Sequence, residues 1–196
     1  NELINKGKLK IYLGMCAGVG KTFSMLQDAG KTKGKGIDTV IGYVETHGRS
    51  ETEFLLFYLE KMERKEITYK GIKLQEMDLD AILSRRPKLV IVDELPHTNS
   101  SGSRHKKRYQ DILEILNNGI DVYTALNVQH IESRADFVAQ ITGIKINETV
   151  PDSLLDLADE IELVDISPDE LLQRLKDGKV YTKDKSREAV QSFFRK

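Results

Sequence analysis

The sequence predicts an α/β fold in which a mostly parallel sheet lies between two layers of helices. Short apolar runs rich in β-branched residues alternate with longer segments of helical periodicity. A glycine-rich turn joins the first apolar run to a helix-forming segment. The run KLVIVDE is apolar at successive positions, which is typical of a strand buried on both faces of a parallel sheet.

The elements of the first half follow from two periodicities. Strands are predicted where apolar and β-branched residues cluster over roughly four to eight positions, and helices where apolar residues recur every three or four. In chain order these predicted elements are a strand at Leu9 to Met15, a helix from about Lys21 to Ala29, a strand at Asp38 to Glu45, a helix from about Ser50 to Glu63, a hairpin around Gly71 and a helix near Asp78 to Ser84.

The second half continues the alternation with a thinner signal after Asn127. We expect five or six strands in total and a C-terminal third that extends the same domain, so that residues 1–196 form a single domain of a larger protein. The predicted elements are a central strand at Lys88 to Glu94, a helix with the stripe Ile112, Leu113, Ile115 and Leu116 that Gly119 ends, a strand at Asp121 to Asn127, a helix from about Gln129 to Ile141, a strand at Glu160 to Ile166, and helices from Pro168 to Lys176 and from about Lys185.

The bulk composition excludes several classes of partner. With 30 basic and 31 acidic residues, the charge balance does not favour a nucleic acid or an anionic membrane surface. No apolar run approaches the roughly 18 residues of a membrane span. The single cysteine, Cys16, cannot form an internal disulfide, and with only four histidines a structural zinc site is disfavoured. We expect a cytoplasmic domain that neither inserts into a membrane nor binds nucleic acid.

The stretch LGMCAGVGKTF has the pattern of a Walker A phosphate loop between a strand and a helix. The backbone N–H groups of such a loop point at phosphate, and the helix N-terminus adds its partial positive charge. The Lys21 side chain is expected to reach the β and γ phosphates, and the Thr22 hydroxyl to ligate magnesium. We therefore predict ATP and Mg²⁺ as cofactors, bound by Gly18, Val19, Gly20, Lys21 and Thr22. An ordinary turn into a helix is the alternative.

One glycine of this motif is displaced. Met15 stands where the pattern has its first glycine, and Gly14 precedes it. Since that glycine serves the turn out of the strand, we expect Gly14 to serve it one residue earlier. Cys16 lies in the same loop near a helix N-terminus, where a thiolate is favoured, although a tolerated small loop residue is the simpler interpretation.

The string LVIVDE has the Walker B pattern of four apolar residues followed by Asp93 and Glu94. Asp93 is expected to help hold magnesium, and Glu94 is the candidate catalytic residue that polarises an attacking water or hydroxyl. A solvated turn after a strand is the alternative. In open α/β sheets ligands lie at the carboxyl ends of the strands, where both motifs are placed.

Three further polar clusters are candidates for the same edge of the sheet. They are Glu45, Thr46, His47 and Arg49; Asn127, Gln129 and His130; and His97, Asn99, Arg104, His105 and Arg108. The first two clusters could sense the γ-phosphate or hold a substrate, with simple loop polarity as the alternative. The third cluster could be a mobile lid whose arginine reaches phosphate, a solvated basic face or a nucleic-acid patch, although it lacks the interleaved aromatic residues of such a patch.

Long strings of the chain resemble the N-terminal cytoplasmic domain of the KdpD family, the sensor histidine kinases of bacterial potassium transport. They are LKIYLGMCAGVGKT, GYVETHGRSETE, LVIVDELPHTNSSGSRHKKR, GIDVYTALNVQHIES and TGIKINETVPDSLLDLADEIELVDISPDELLQRLKDGKVY. In that family the phosphate loop also has a glycine where Gly14 stands and another residue where Met15 stands. The resemblance assigns nucleotide binding to Gly18, Gly20, Lys21 and Thr22, with Asp93 and Glu94 as the second motif.

The resemblance also implies a function for the larger protein. It would be a dimeric kinase of the bacterial inner membrane that responds to potassium limitation or osmotic stress and signals to a cognate response regulator. This chain would be its regulatory ATP-binding domain in contact with the other domains, and turnover of ATP would be slow or absent. The alternative is a free-standing enzyme: an ATPase of the RecA-like additional-strand type, or a nucleoside kinase resembling thymidine kinase. The latter usually carries a cysteine-rich zinc lobe, whereas this chain has only Cys16.

Overall fold

The structure is a computed structural model that describes residues 5–15, 17–164 and 173. The described strands are β1 (Leu9–Gly14), β2 (Thr39–Tyr43), β3 (Glu60–Lys61), β4 (Lys65–Tyr69), β5 (Ile72–Glu76), β6 (Leu89–Val92), β7 (Asp121–Asn127) and β8 (Glu160–Leu163). The described helices are α1 (Lys21–Gly34), α2 (Ser50–Leu56), α3 (Leu79–Arg85), α4 (Arg108–Asn117), α5 (Glu132–Thr142) and α6 (Ser153–Leu157), with a 3₁₀ turn at Val128–His130.

Six strands form one sheet in the order β3-β2-β6-β7-β1-β8, and every pairing in it is parallel. The predicted mostly parallel sheet is therefore confirmed. Strand β6, predicted to be central, lies between β2 and β7. Strand β7 in turn lies between β6 and β1, so that one strand separates the two motif-bearing strands.

Strands β4 and β5 form a separate antiparallel hairpin, as predicted around Gly71. Lys70 and Gly71 at its turn have φ values of 48° and 78°. Two successive left-handed residues suit a tight turn between twisted antiparallel strands, and glycine adopts this conformation without steric cost.

Apolar side chains bury both faces of the six-stranded sheet, which makes three layers. Helices α3 and α4 cover one face through residues such as Ile82, Ile112 and Ile115. Helix α1 covers the other face through Met25, Leu26 and Ala29. Because parallel strands bury residues on both sides, the apolar runs of β2 and β6 are continuous instead of alternating.

The predicted helix from about Ser50 to Glu63 is wrong in its second half. Helix α2 ends at Leu56, and the chain then enters the short strand β3 beside β2. The Met62 amide donates to the Ile41 carbonyl at 2.8 Å, and Leu59 is buried against the α1 face of the sheet. Pairing with the sheet thus replaces the helical hydrogen bonds that the local periodicity favoured.

Several other boundaries differ from the prediction. Helix α1 runs to Gly34, and helix α5 starts three residues later than expected, after the 3₁₀ turn. Helix α6 was not predicted. The predicted end of the last strand at residues 165–166 and the predicted helices from Pro168 to Lys176 and from about Lys185 lie outside the described residues, apart from residue 173. In the part of the chain that is described, no helix is long and apolar enough to cross a membrane.

Candidate nucleotide-binding site

The loop between β1 and α1 has the backbone that its glycines allow. Gly18 and Gly20 have φ values of 79° and 89°, in the left-handed region that glycine enters without a steric penalty. Helix α1 begins immediately afterwards at Lys21. Val19, between the two glycines, is buried at 4% exposure and anchors the loop to the protein. Helix α1 therefore starts at the carboxyl edge of the sheet, where the first turn of a helix carries partial positive charge. Cys16 lies outside the described residues.

Gly14 has a different role from the expected turn. It is the last residue of β1, and its backbone is not left-handed. A Cβ atom on Gly14 would lie 2.6 Å from Val19 Cγ2 and 2.9 Å from Lys21 Cδ. Both distances are too short for real carbon contacts. The glycine thus supplies the space through which the Lys21 stem passes, and the displaced motif glycine is explained by packing.

A hydrogen bond joins the two predicted motifs directly. The Thr22 hydroxyl donates to Asp93 Oδ2 at 3.1 Å, and the Glu94 amide donates to Asp93 Oδ1 at 2.9 Å. Asp93 directly follows β6 and is 5% exposed. Burial raises the pKa of the Asp93 carboxyl, while the two hydrogen bonds and the positive charge of Lys21 act in the opposite direction.

The oxygen atoms of the Thr22 hydroxyl and the Asp93 carboxylate fit a hard divalent cation. A buried carboxylate is stabilised by a nearby positive charge, and Mg²⁺ prefers oxygen ligands such as carboxylates, hydroxyls and phosphates. The Thr22 oxygen can keep its hydrogen bond to Asp93 while a lone pair faces a cation. Thr22 and Asp93 are therefore the residues that would hold magnesium.

Glu94 has a strained backbone beside this pair. Its φ of 57° is left-handed, which is uncommon for a residue with a side chain and is often found at functional sites. Glu94 Oε2 lies 3.8 Å from Arg108 Nη1, and Oε1 lies 3.9 Å from His47 Nε2. Burial and the neighbouring Asp93 raise the pKa of Glu94, which Arg108 partly offsets.

Arg108 was predicted to lie in a mobile lid, on a solvated basic face or in a nucleic-acid patch, and the solvated face is wrong for this residue. It begins α4 and has no exposed surface. Its Nη1 donates to the Asp93 carbonyl at 3.2 Å, and the guanidinium lies 4.0 Å from the centre of the Tyr43 ring. Nη2 lies 3.4 Å from Glu76 Oε2. The local sequence does not predict that Arg108 is buried, because its partners come from three separate segments of the chain.

The rest of the predicted lid is held by polar contacts within the described residues. These contacts join the loop to the β4–β5 hairpin and to α3 and α4, so the basic side chains among them are paired. They are His97 with Glu76 at 3.0 Å, Asn99 with Asp111 at 2.8 Å, Arg104 with Asp80 and with Glu114, His105 with Glu114 at 2.6 Å, and a bridge between Thr98 and Lys107.

The structure brings two of the other predicted residues to the site. His47 lies beside Glu94, as described above. Asn127 pairs in register with Gly14 at the end of β7. Its Oδ1 is buried and has no hydrogen-bond partner among the described residues, so a polar acceptor sits next to the glycine-rich loop.

The side chains of other members of the two predicted clusters contact other parts of the protein, while the backbone of Glu45 forms a hydrogen bond to the Asp93 carboxylate. Arg64 bridges Glu45 Oε1 at 2.8 Å and the Val44 carbonyl at 2.9 Å. The Thr46 hydroxyl donates to Glu53 at 3.2 Å. His130 contacts the Glu148 carbonyl at 2.7 Å through Nδ1. Their loop polarity therefore serves local structure.

The fold and site together define an α/β three-layer sandwich with a P-loop-like strand, glycine-rich loop and helix at the carboxyl edge of its parallel sheet. The chain belongs to the KdpD family of osmosensitive K⁺ channel histidine kinase sensor domains, whose family model matches residues 5–196.

Curated relatives agree with this membership. The chain is 52% identical over 192 residues to the sensor protein KdpD of Escherichia coli strain K12, and 53% identical over 192 residues to that of Clostridium acetobutylicum. Each match covers 98% of this chain but only 22% and 21% of the relative. A putative sensor protein KdpD of Synechocystis is 49% identical over 191 residues, 97% of this chain and 52% of that protein. The chain thus spans about a fifth to a half of these relatives.

Proposed function

We propose that this chain is the regulatory nucleotide-binding domain of a potassium-responsive sensor histidine kinase, and that it binds ATP with Mg²⁺ at the loop between β1 and α1. The observation that carries the proposal is the hydrogen bond from the Thr22 hydroxyl to Asp93. Through this bond, a hydroxyl at a helix N-terminus and a buried carboxylate lie together at the edge of the sheet. Hydroxyl, carboxylate and phosphate oxygens together supply the ligands of a nucleotide-bound magnesium ion.

Each residue of the loop has a role in this proposal. The backbone of Gly18, Val19 and Gly20 offers N–H groups to phosphate oxygens, and the start of α1 adds a favourable electrostatic field. Lys21, whose stem passes over Gly14, neutralises charge on the β and γ phosphates. The bound magnesium ion would screen the remaining phosphate charge.

The larger protein of the proposal is a membrane kinase. Its relatives are named as sensor proteins, and the family model describes a histidine kinase sensor domain. We place this chain on the cytoplasmic side of the bacterial inner membrane, in contact with the other domains of a homodimeric parent. The parent would pass its signal to a cognate response regulator. Nucleotide binding here would then bias the activity of the kinase domains.

Slow hydrolysis of the bound ATP is a second candidate activity, favoured by the position of Glu94. Its carboxylate interacts with that of the neighbouring Asp93, the residue that would hold magnesium. In this proposal the Glu94 carboxylate orients the attacking water molecule. A free-standing ATPase or a nucleoside kinase would use the same carboxylate. Family membership favours the regulatory role over both of these.

Isothermal titration calorimetry with ATP, with and without Mg²⁺, tests the proposal. We expect Mg²⁺-dependent binding that Lys21→Ala weakens by on the order of 100-fold, because several charge-assisted contacts to phosphate are lost. Lys31→Ala is the matched control, since Lys31 is an exposed lysine in the last turn of the same helix. Equal affinity for Lys21→Ala and the unchanged protein would refute the phosphate site.

A further inference from the structure

The guanidinium of Arg108 is enclosed beside the two acidic residues that follow β6, Asp93 and Glu94. It has no exposed surface, and it contacts the Asp93 carbonyl, the Tyr43 ring and the Glu76 carboxylate. A buried cation with several fixed partners has little freedom to move. Arg108 is therefore a positive charge held at a defined place beside the candidate site.

Glu76, the last residue of β5, is the anchor of this arginine. It is 5% exposed, and its Oε1 accepts hydrogen bonds from the Ser100 amide at 2.9 Å and the Ser100 hydroxyl at 2.7 Å. His97 Nε2 lies 3.0 Å from both of its oxygens. Because Ser100 and His97 fix the position of Glu76, Glu76 in turn holds one side of the Arg108 guanidinium.

Glu94 needs such a support. Its backbone is in the left-handed conformation, which a residue with a side chain rarely adopts. Its two oxygens face two basic side chains: the guanidinium of Arg108, which is buried, and the imidazole of His47, whose side chain is 64% exposed. Of these two neighbours, Arg108 is the one whose position is set by the fold.

We propose that Arg108, held by Glu76, is a positioning residue for ATP hydrolysis: it orients the Glu94 carboxylate toward the attacking water. The inference rests on the proposed function, since Glu94 acts only on bound nucleotide. In the step, Glu94 accepts a proton as the water oxygen bonds to the γ-phosphorus and the bond from that phosphorus to the oxygen of ADP breaks. The proton then leaves with inorganic phosphate. Arg108 itself is enclosed and acts through Glu94.

Single-turnover and steady-state hydrolysis of ATP in the presence of Mg²⁺ tests this role with Arg108→Lys. Lysine keeps the positive charge but lacks the planar guanidinium, whose several N–H groups contact several partners at once. We expect kcat to fall on the order of 10 to 100-fold while KM for ATP stays within about twofold, because misplacement by about 1 Å costs that much in rate. Arg104→Lys is the matched control: Arg104 precedes the same helix and pairs with Asp80 and Glu114. It should leave kcat unchanged.

A double variant separates positioning from a structural role. In the Glu94→Gln background, Arg108→Lys should cause no further loss of rate, since the group it positions is gone. Losses that multiply in the double variant would overturn the inference. Glu76→Gln, which keeps the shape of the anchor, should lower kcat in the same direction and serves where Arg108→Lys does not fold. Unchanged kcat in Glu76→Gln and in any folded Arg108→Lys would also overturn it.

Measurements of ATP binding and of ATP turnover by the unchanged protein distinguish the failure of the proposed function from the failure of the positioning role. Absence of ATP binding refutes the proposed function, and this inference with it. Binding of ATP with Mg²⁺ but no turnover overturns only the positioning role, because Glu94 would then orient no water.

Discussion

The Thr22 hydroxyl lies 3.1 Å from Asp93 Oδ2, although the two residues are 71 positions apart in the chain. Thr22 is in the first turn of α1, and Asp93 directly follows β6. Strand β7 separates β6 from β1, so the hydrogen bond crosses the carboxyl edge of the sheet over an intervening strand. The order of strands therefore brings the two motifs together.

Thr22→Val tests this hydrogen bond. Valine has nearly the shape of threonine, so the change removes the donor and leaves Asp93 with one hydrogen bond fewer. We expect a loss of about 1 to 3 kcal/mol in free energy of unfolding, measured by urea denaturation, because the acceptor is a buried carboxylate. Calorimetry should also show that Mg²⁺ no longer strengthens ATP binding. Full Mg²⁺ enhancement in the variant would contradict the assignment of Thr22 as a ligand.

Gly14→Ala tests the space beneath Lys21. The added methyl group meets Val19 and Lys21 at distances that force one of them to move. We expect a destabilisation of about 1 to 3 kcal/mol and a loss of ATP affinity of about tenfold, since the lysine stem is displaced.

Gly30→Ala, inside α1, is the control for this substitution. A methyl group at Gly30 meets nothing within 4 Å, so alanine should stabilise the helix by about 1 kcal/mol and leave ATP affinity unchanged. Thermal unfolding and calorimetry distinguish the two variants. Similar effects of both on affinity would remove Gly14 from the site.

Glu94→Gln tests the candidate catalytic residue. The amide keeps the shape of the side chain but cannot accept a proton from water. We expect hydrolysis to fall on the order of 100-fold or more while affinity for ATP with Mg²⁺ is retained. Glu53→Gln is the control, because Glu53 is an exposed glutamate that contacts Thr46. Phosphate release at the original rate in Glu94→Gln would exclude a role in the mechanism.

The stability of the protein should depend on pH through Glu76. Burial raises the pKa of Glu76, but hydrogen bonds from Ser100 and His97 lower it more, so the folded value lies below the ordinary one. The carboxylate therefore stabilises the fold above the unfolded pKa of about 4.3, and this contribution is lost as the pH falls through the lower folded value. Arg108 and His97 are the basic side chains that face it.

Urea unfolding of Glu76→Gln between pH 3 and 6 measures this contribution. The variant should be less stable than the unchanged protein near pH 6, and the difference should shrink as the pH falls below about 4.3. Glu66→Gln in the same hairpin should show little difference at either pH, because Glu66 is exposed and its pair with Lys73 is a surface one. A difference for Glu76→Gln that is independent of pH would refute the assignment.

The candidate phosphate loop and the acidic pair were predictable as motifs because each is a contiguous string. In GVGKT the glycines, Lys21 and Thr22 perform their proposed roles through local backbone geometry, and in LVIVDE the apolar run itself identifies a buried strand. Their placement at one sheet edge follows from the rule for parallel α/β sheets. Most helices and strands were predictable for the same reason.

Strand β3 was missed because its hydrogen bonds are not local. The sequence from Ser50 to Glu63 has helical periodicity, but the amide of Met62 finds its partner at Ile41 in a neighbouring strand. A periodicity argument considers only residues a few positions apart. It therefore extends a helix past the point where the sheet offers better partners.

The sequence by itself determined the parallel α/β architecture, the two motifs and the family resemblance, since these depend on local patterns of residue type. Only the tertiary structure decided that Gly14 makes room for Lys21 and that Arg108 is buried beside Glu94. The physical reason is distance along the chain. Arg108 is enclosed by Tyr43, Glu76, Asp93 and Glu94, which belong to separate strands and their ends, so its burial exists only after the sheet and hairpin have come together.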